Sequence, residues 1–278
     1  MSAEIRPRCV YVDLDGTLLG RDASLFHDGE GAISMDASRA VEACLRAGVE
    51  VVLMSGRRRA QVAEGARLLG QGSYIFEAGA CVVLEGEEHW LTGEMLPGEL
   101  TIAEQIERSG APGLLLEHYE GRLEYHEPWH VEREVSHLFR GLVEAGEADE
   151  LLAEGGHGNL RLVDNGVVRR RSAALAELPH VRCYHLVPAS ASKARAVAFH
   201  MRARGYAREE TFAVGDSRED MACAEHVGCF WLVSNALTRD PSIGEAIALA
   251  GSPERVRICE GAYGAGVYEA VVRTLMGD

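Results

Sequence analysis

The segment Cys9–Leu19, with the sequence CVYVDLDGTLL, constrains the fold of this chain more than any other stretch. Its apolar residues alternate with Tyr11, Asp13 and Asp15, which is typical of a strand buried in a sheet. Strand side chains repeat every second residue, so both carboxylates point the same way where the chain leaves the sheet. Two carboxylates this close repel each other unless a cation neutralises them or one is protonated. On its own, the segment also fits an ordinary strand end with an Asp-Gly turn.

Buried strands and helices alternate in the first and last parts of the chain. Residues 49–54 follow a helix with an apolar stripe and end at Ser55, and residues 211–214 follow a helix that begins at Lys193. Such units are typical of an open parallel sheet, in which ligands bind at the carboxyl ends of the strands. The pattern therefore predicts an α/β core with polar residues gathered at one edge.

Between residues 81 and 187 the pattern changes to short strands interleaved with polar helices. We predict strands over residues 81–84, 113–117, 122–126, 159–163 and 167–171. The tripeptide Asp164-Asn165-Gly166 is a strong hairpin signal between the last two strands. We therefore predict a core formed by residues 1–80 and 188–278, with an α+β domain at residues 81–187 inserted into it.

Charge and composition argue against several classes of function. The chain has 43 acidic and 28 basic residues, a formal net charge of −15, and most basic residues are interspersed with acidic ones. This balance argues against nucleic acid as the main partner. No apolar run is long enough to span a bilayer, so no membrane partner is expected. The run Arg169-Arg170-Arg171 fits a solvated strand edge or, alternatively, a contact to an anionic substrate.

The sequence also predicts where the protein resides. Residues Met1–Arg8 hold charges and a proline but no apolar stretch of a secretory signal. The seven cysteines are scattered and never form a Cys-x-x-Cys pair, which favours buried reduced thiols over disulfides or a zinc site. We therefore predict a cytoplasmic protein. Monomer and homodimer both remain open.

Four short motifs follow one another along the chain, each at the predicted carboxyl end of a core strand or at the start of a helix facing that edge. They are Asp13-Leu14-Asp15-Gly16-Thr17, Ser55-Gly56-Arg57, Lys193, and Gly215-Asp216-Ser217-Arg218-Glu219-Asp220. In this order the set resembles the four motifs of the haloacid-dehalogenase superfamily, over the whole chain. The resemblance implies a Rossmann-like parallel-sheet core with an inserted cap.

The resemblance implies distinct roles for the acidic residues. Asp13 would be the nucleophile that takes up a phosphoryl group as an aspartyl-phosphate. Asp15 would protonate the leaving oxygen and later activate water. Asp13, Asp216 and the backbone carbonyl of Asp15 would hold Mg²⁺, with Asp220 either binding it through water or orienting its neighbours. A solvated helix carboxylate is the alternative for Asp220.

The remaining motif residues would handle the phosphate. Ser55 would donate its hydroxyl to the phosphoryl group, and Lys193, the one lysine of the chain, would neutralise the nucleophile and the phosphate. A helix cap is the alternative for Ser55, and a solvated helix-start lysine for Lys193. Further predicted contacts to the substrate or its phosphate are Thr17, Gly56, Arg57, Ser217 and Asn235.

The spacing of the motifs locates the cap. Ser55 and Lys193 lie 138 positions apart, far more than one strand and helix need. A cap here resembles the Cof-type, sucrose-phosphatase and mannosyl-phosphoglycerate-phosphatase branch, which implies a small phosphorylated sugar or related metabolite as substrate. Ala78 stands where that branch usually has asparagine. Candidate residues for binding the leaving group are His118, Arg122, His126, Trp129, His130 and Arg133.

Three functions remain open at this point. The first is a magnesium-dependent phosphatase, a phosphoric monoester hydrolase acting on a sugar phosphate or phosphorylated glycoside. The second is a phosphomutase with the same paired aspartates, which would need a bisphosphorylated activator. The third is a non-catalytic binding protein on the same fold, against which the complete set of acidic residues argues.

Overall fold

The computed structural model describes residues 6–168, 172–249 and 251–277. Its strands are β1 (Cys9–Asp13), β2 (Glu50–Met54), β3 (Ser73–Phe76), β4 (Cys81–Leu84), β5 (Glu87–Trp90), β6 (Leu123–Tyr125), β7 (His137–Gly141), β8 (Leu160–Val168), β9 (Val181–Pro188), β10 (Thr211–Gly215), β11 (Cys229–Leu232) and β12 (Val256–Ile258). The run Arg169-Arg170-Arg171 lies outside the described residues.

Helices lie both among the strands of the core and in the segment inserted into it. They are α1 (Asp36–Ala47), α2 (Arg59–Leu68), α3 (Ile102–Ser109), α4 (Ala111–His118), α5 (Ala145–Glu154), α6 (Lys193–Arg204), α7 (Arg218–Met221), α8 (Asn235–Arg239), α9 (Ile243–Leu249) and α10 (Tyr263–Met276). Within the described ranges, none has the length and apolar character needed to span a membrane.

The larger sheet is the predicted α/β core. Among the described residues, eight strands pair in the order β12-β11-β10-β1-β2-β3-β4-β5, and the pairs from β12 to β3 are parallel. Strand β1 is central and buried along its length. Val10 and Val12 pack in one apolar cluster with α1 and α10, whereas Tyr11 packs in a second with α6. Helices thus cover both faces, as the apolar run of β1 requires.

The second sheet has the strand order β6-β7-β9-β8 and is antiparallel throughout. Phe139, Tyr184 and Leu186 pack into a cluster with residues of α3, α4 and α5. The alternate residues Leu138 and His185 point to the opposite face, because strand side chains alternate. One face of this sheet is therefore covered by helices, and the other faces the core.

The predicted domain boundary at residue 81 does not match the sheets. Strands β4 and β5 are antiparallel additions to the larger sheet, and Cys81 pairs with both Phe76 and Trp90. The second sheet ends at Pro188, where the core was predicted to resume. We therefore place the inserted unit after Trp90, and propose residues 91–188 as the cap.

Two predictions within the insert, one strand and one hairpin, are wrong. Residues 113–117 belong to helix α4, which starts after Gly110 with Pro112 in its first turn, a position that proline favours. The predicted hairpin at Asp164-Asn165-Gly166 is a bulge within the single strand β8. The Asp164 side chain accepts a hydrogen bond from the Gly166 amide at 2.9 Å, so the turn residues shape a bulge instead of reversing the chain.

Candidate active site

The parallel pairing of β1 with β2 and β10 brings the predicted motifs to one edge. Asp13 is the last residue of β1 and pairs with Met54, directly before Ser55. Strand β10 ends at Gly215, directly before Asp216. Since parallel strands end at the same edge, the first, second and fourth motifs meet there.

Lys193 joins this edge from the first turn of α6. Its Nζ lies 2.6 Å from Asp13 Oδ1 and 2.6 Å from Asp220 Oδ1, and the residue is 1% exposed. Burial alone would lower the pKa of Lys193, but the two carboxylates outweigh burial and raise it above its ordinary value. Lys193 is therefore a buried fixed cation, and the alternative of a solvated lysine is excluded.

Three carboxylates form a cluster that fits a metal ion. Oxygen atoms of Asp13, Asp216 and Asp220 lie within 4.8 Å of one another. Burial raises the pKa of Asp13 well above its ordinary value, and it is also the main cause that raises the pKa of Asp216, to about 7. Buried like charges at this distance favour a bound cation, and hard carboxylate oxygens suit Mg²⁺.

The Asp15 carboxylate is not part of this cluster and pairs with Arg57. Arg57 donates from Nε to Asp15 Oδ2 and from Nη2 to Asp15 Oδ1, both at 2.6 Å. The bidentate pair raises the pKa of Arg57 although burial opposes the rise. Asp15 is therefore a separate acid at the cavity, and only its backbone carbonyl remains a candidate metal ligand, as predicted.

Asp220 is completely buried, so the alternative of a solvated carboxylate is excluded. Its Oδ1 accepts from Lys193, and its Oδ2 accepts from the Ser217 hydroxyl at 2.6 Å and the Ser217 amide at 3.1 Å. Ser217 in return caps α7. These contacts favour the predicted orienting role, in which Asp220 fixes the loop that carries Asp216.

A cavity of about 840 Å³ opens in front of these residues. The larger sheet contributes Asp13, Asp15, Ser55, Gly56 and Arg57 to its wall. The inserted unit contributes further lining residues, namely His126, Trp129, Arg133, Leu138, Asn165, Val167, Val168, Cys183 and His185. The cavity thus lies between the acidic cluster and the second sheet, and its volume suits a small-molecule ligand.

Comparisons with known proteins were made by sequence and by structure. No family model matches the chain. A protein of Archaeoglobus fulgidus named phosphoglycolate phosphatase is 26% identical over 83% of this chain and 85% of its own length.

The sucrose-phosphatase of Synechocystis, solved with sucrose and phosphate, superposes with a TM-score of 0.67 at 15% identity over 97% of this chain and 98% of its own. A haloacid dehalogenase-like hydrolase of Bacteroides thetaiotaomicron gives a TM-score of 0.59 at 17% identity over 96% and 99%. The chain has the haloacid-dehalogenase fold. The resemblance inferred from the four motifs is thereby confirmed, and the predicted class, a phosphoric monoester hydrolase, agrees with the names of these relatives.

Three residues predicted to contact the phosphate instead make hydrogen bonds that hold the loops of the candidate active site. Ser217 is the cap of α7. The Thr17 amide donates to Leu14 O, and its hydroxyl lies 3.5 Å from Asp216 Oδ1. Asn235 donates to Gly16 O at 2.8 Å and accepts from the Tyr263 amide at 2.7 Å. Because their polar atoms are engaged within the protein, these side chains hold loops and do not line the cavity.

The predicted cap candidates divide into two groups. His126, Trp129 and Arg133 line the cavity. His118, Arg122 and His130 are not among its lining residues, and His118 is exposed on α4. His118 therefore belongs to the exposed polar surface and not to the cavity wall.

Two important residues of the candidate active site were not predicted from the sequence. Arg239 donates to Asp216 Oδ2 at 2.9 Å and to the backbone oxygen of Val167 at 2.6 Å, so it links the acidic cluster to β8. The sequence signal that could have identified Arg239 is its position on α8, four residues after the predicted contact Asn235. Glu77 is fully buried and lies directly before Ala78.

Glu77 attaches the inserted unit to the core. Its carboxylate accepts from the backbone amides of Glu134, Val135 and Ser136 at 2.8, 3.1 and 2.7 Å. It also accepts from the Ser136 hydroxyl at 3.0 Å. No local sequence pattern predicts this contact, because its partners lie 57 to 59 residues further along the chain.

Proposed function

We propose that this protein is a magnesium-dependent phosphatase that hydrolyses a small phosphorylated metabolite through an aspartyl-phosphate at Asp13. The observation that carries the proposal is the position of Asp13 at the cavity, hydrogen bonded to the buried Lys193 and clustered with Asp216. Lys193 fixes the Asp13 carboxylate and adds positive charge for the phosphate.

The acidic cluster supports the choice of metal. Mg²⁺ held by Asp13, Asp216 and the Asp15 carbonyl would neutralise charge on the phosphoryl oxygens. The residues present fit this ion, because the cluster offers only carboxylate oxygens and burial raises the pKa values of Asp13 and Asp216.

Arg57 supports a general acid role for Asp15. The guanidinium holds both oxygens of this carboxylate at the cavity wall, so its position relative to Asp13 is fixed. General acid catalysis requires such positioning first and a suitable pKa second. We propose that Asp15 protonates the leaving oxygen and then activates water.

We further propose that the inserted unit selects the substrate, and that the substrate is a sugar phosphate or phosphorylated glycoside. Trp129 and His126 lie on the cavity wall opposite the acidic cluster, where a leaving group would sit. A cytoplasmic location and a monomeric or homodimeric state remain part of this proposal.

The test is phosphate release from p-nitrophenyl phosphate with Mg²⁺, for the unsubstituted protein, Asp13→Asn and Asp36→Asn. Asp36 starts α1 and does not line the active-site cavity, so it is the matched control. We expect Asp13→Asn to lose at least about a thousandfold of the rate, since it removes the nucleophile. Full activity in Asp13→Asn would refute the mechanism. Transfer of phosphate to a sugar, activated by a bisphosphate, would indicate a mutase.

A further inference from the structure

Strand β9 presents His185 to the active-site cavity. The residue pairs with Leu138 across the second sheet, is 2% exposed, and lines the cavity. A methyl group placed on Gly56 would lie 2.6 Å from His185 Nε2. The imidazole edge therefore abuts the loop that carries Ser55, beside the proposed phosphate site, and a glycine at position 56 leaves room for it.

A chain of hydrogen bonds fixes which nitrogen carries the proton. The Ser136 hydroxyl lies 3.0 Å from Glu77 Oε2 and 3.2 Å from His185 Nδ1. A carboxylate oxygen only accepts, so the single hydroxyl proton of Ser136 is donated to Glu77. The reverse orientation would set two oxygen lone pairs against each other at 3.0 Å. Ser136 Oγ therefore accepts a hydrogen bond from His185 Nδ1–H.

The imidazole is neutral in this arrangement. Burial, together with the positive charges of Arg133 and Lys193, lowers the pKa of His185 well below its ordinary value. A neutral ring with its proton on Nδ1 has a bare acceptor at Nε2. Within residues 6–168, 172–249 and 251–277, no side chain or amide donates to this atom. Nε2 is not one of the fully enclosed polar atoms that lack a partner among the described residues, so it is accessible from the cavity, where a ligand hydroxyl can donate to it.

We propose that His185 Nε2 accepts a hydrogen bond from a hydroxyl group of the substrate's leaving group. This inference rests on the proposed phosphatase function and narrows it: the enzyme selects phosphate esters of hydroxylated carbon chains over esters with a carboxylate at the same place. A carboxylate would set its oxygen lone pairs against the bare nitrogen.

The arginines of the cavity support the same choice. The described lining residues include Arg21, Arg57, Arg133 and Arg239, and each has a carboxylate partner within 4.0 Å. A second anionic group on the substrate would therefore share an arginine whose charge is already paired with a carboxylate. A hydroxyl group needs no positive partner, so it fits this wall better.

The test compares three esters of equal carbon number: 2-hydroxyethyl phosphate, ethyl phosphate and phosphoglycolate. We expect the unsubstituted enzyme to prefer 2-hydroxyethyl phosphate over each of the others by about tenfold in kcat/KM. In His185→Ala we expect the ratio of the hydroxyethyl ester to the ethyl ester to fall to about one, whatever the absolute rates. The exposed His118→Ala is the matched control and should keep the ratio. An unchanged ratio in His185→Ala, or a preference for phosphoglycolate, would overturn the inference.

A second measurement does not depend on the folding of a variant. Nitrogen-15 NMR of the unsubstituted protein at neutral pH should show His185 with a protonated Nδ1 and a bare Nε2, and a protonated Nε2 would overturn the inference. If no phosphate ester, including p-nitrophenyl phosphate, is hydrolysed with Mg²⁺, the proposed function itself fails and the inference with it. If phosphate esters are hydrolysed but the ratio is unchanged in His185→Ala, or phosphoglycolate is preferred, only the inference is overturned.

Discussion

Gly16, in the segment Cys9–Leu19, has a backbone conformation and close neighbours that leave no room for a side chain. Its φ of +87° lies in the left-handed region, and a Cβ added there would lie 2.2 Å from Asp216 Oδ2 and 2.4 Å from Arg239 Nη1. A side chain at this position would displace the carboxylate that we assign to the metal. The glycine between Asp15 and Thr17 is therefore a requirement of the site as well as of the turn.

We predict that Gly16→Ala destabilises the fold and disrupts the acidic cluster. The left-handed backbone alone costs about 1 to 2 kcal/mol, and the collisions add about 1 to 3 kcal/mol. Gly48→Ala is a matched control, because φ is +71° there and nothing lies within 4 Å of the added methyl. Urea unfolding of both variants measures the difference. Equal losses of unfolding free energy would contradict the predicted collision.

The backbone at Ala78 gives a physical reason why related proteins usually have asparagine at this position. Its φ is +58°, a conformation that asparagine adopts more readily than alanine. The sequence showed that the usual asparagine is missing, but not that the position is left-handed. Lys193 and Asp13 were predictable because each has a motif, whereas Glu77 and His185 act through partners that are distant in sequence.

Among the elements, the link between the core and the inserted unit depends on Glu77. We predict that Glu77→Gln destabilises the protein by about 2 kcal/mol, because the amide group leaves buried backbone donors unmatched. Hydrogen exchange of the amides of residues 134–136 should accelerate by about tenfold or more. Exposed Glu120→Gln serves as the control. Unchanged exchange at these amides would show that Glu77 does not hold the segment.

The start of β2 carries a half-buried acid, Glu50, with a predictable pH response. Four side chains contact its carboxylate: His200, Tyr206, Ser73 and Arg204. They outweigh burial and lower the pKa of Glu50 from 4.5 to about 2. Because the folded state binds the proton more weakly than the unfolded state, the stabilisation is complete above pH 4.5 and is lost as the pH falls towards 2.

We therefore predict that Glu50→Gln removes this pH response. The shift corresponds to about 3 kcal/mol of unfolding free energy at neutral pH. The difference in unfolding free energy between the unsubstituted protein and Glu50→Gln should decrease by about 1 kcal/mol between pH 6 and pH 3.5. Urea unfolding at both pH values measures it. A gap that stays constant or widens on acidification would contradict the assigned pKa.

The elements also show where sequence reasoning succeeds. The parallel strands were predictable because each is a short apolar run buried on both faces, and such runs are typical of the strands of a parallel sheet. The strand at residues 81–84, β4, was assigned to the wrong sheet and its partner β5 was not predicted, since short strands carry no mark of the sheet they join. In β8, Asp164-Asn165-Gly166 was correctly identified as a turn-forming sequence. Because β8 pairs with β9 on both sides of these residues, they form a bulge and not a hairpin.

For the whole molecule, bound metal should relieve the charge held at the edge of the core sheet. We predict that Mg²⁺ at about a hundred times its Kd stabilises the fold by about 3 kcal/mol. Thermal unfolding after chelation and after Mg²⁺ addition measures the shift. The shift should disappear in Asp216→Asn and persist in Asp36→Asn. An undiminished shift in Asp216→Asn would place the metal elsewhere.

The single lysine of the chain has a practical consequence. Amine-directed reagents find no other side-chain target in this sequence, and this one is 1% exposed and bound to two carboxylates. Side-chain acylation therefore reports directly on how often the amine between Asp13 and Asp220 becomes accessible. Acylation of Lys193, followed by mass spectrometry, can therefore measure how well a ligand protects the candidate active site, without an engineered label.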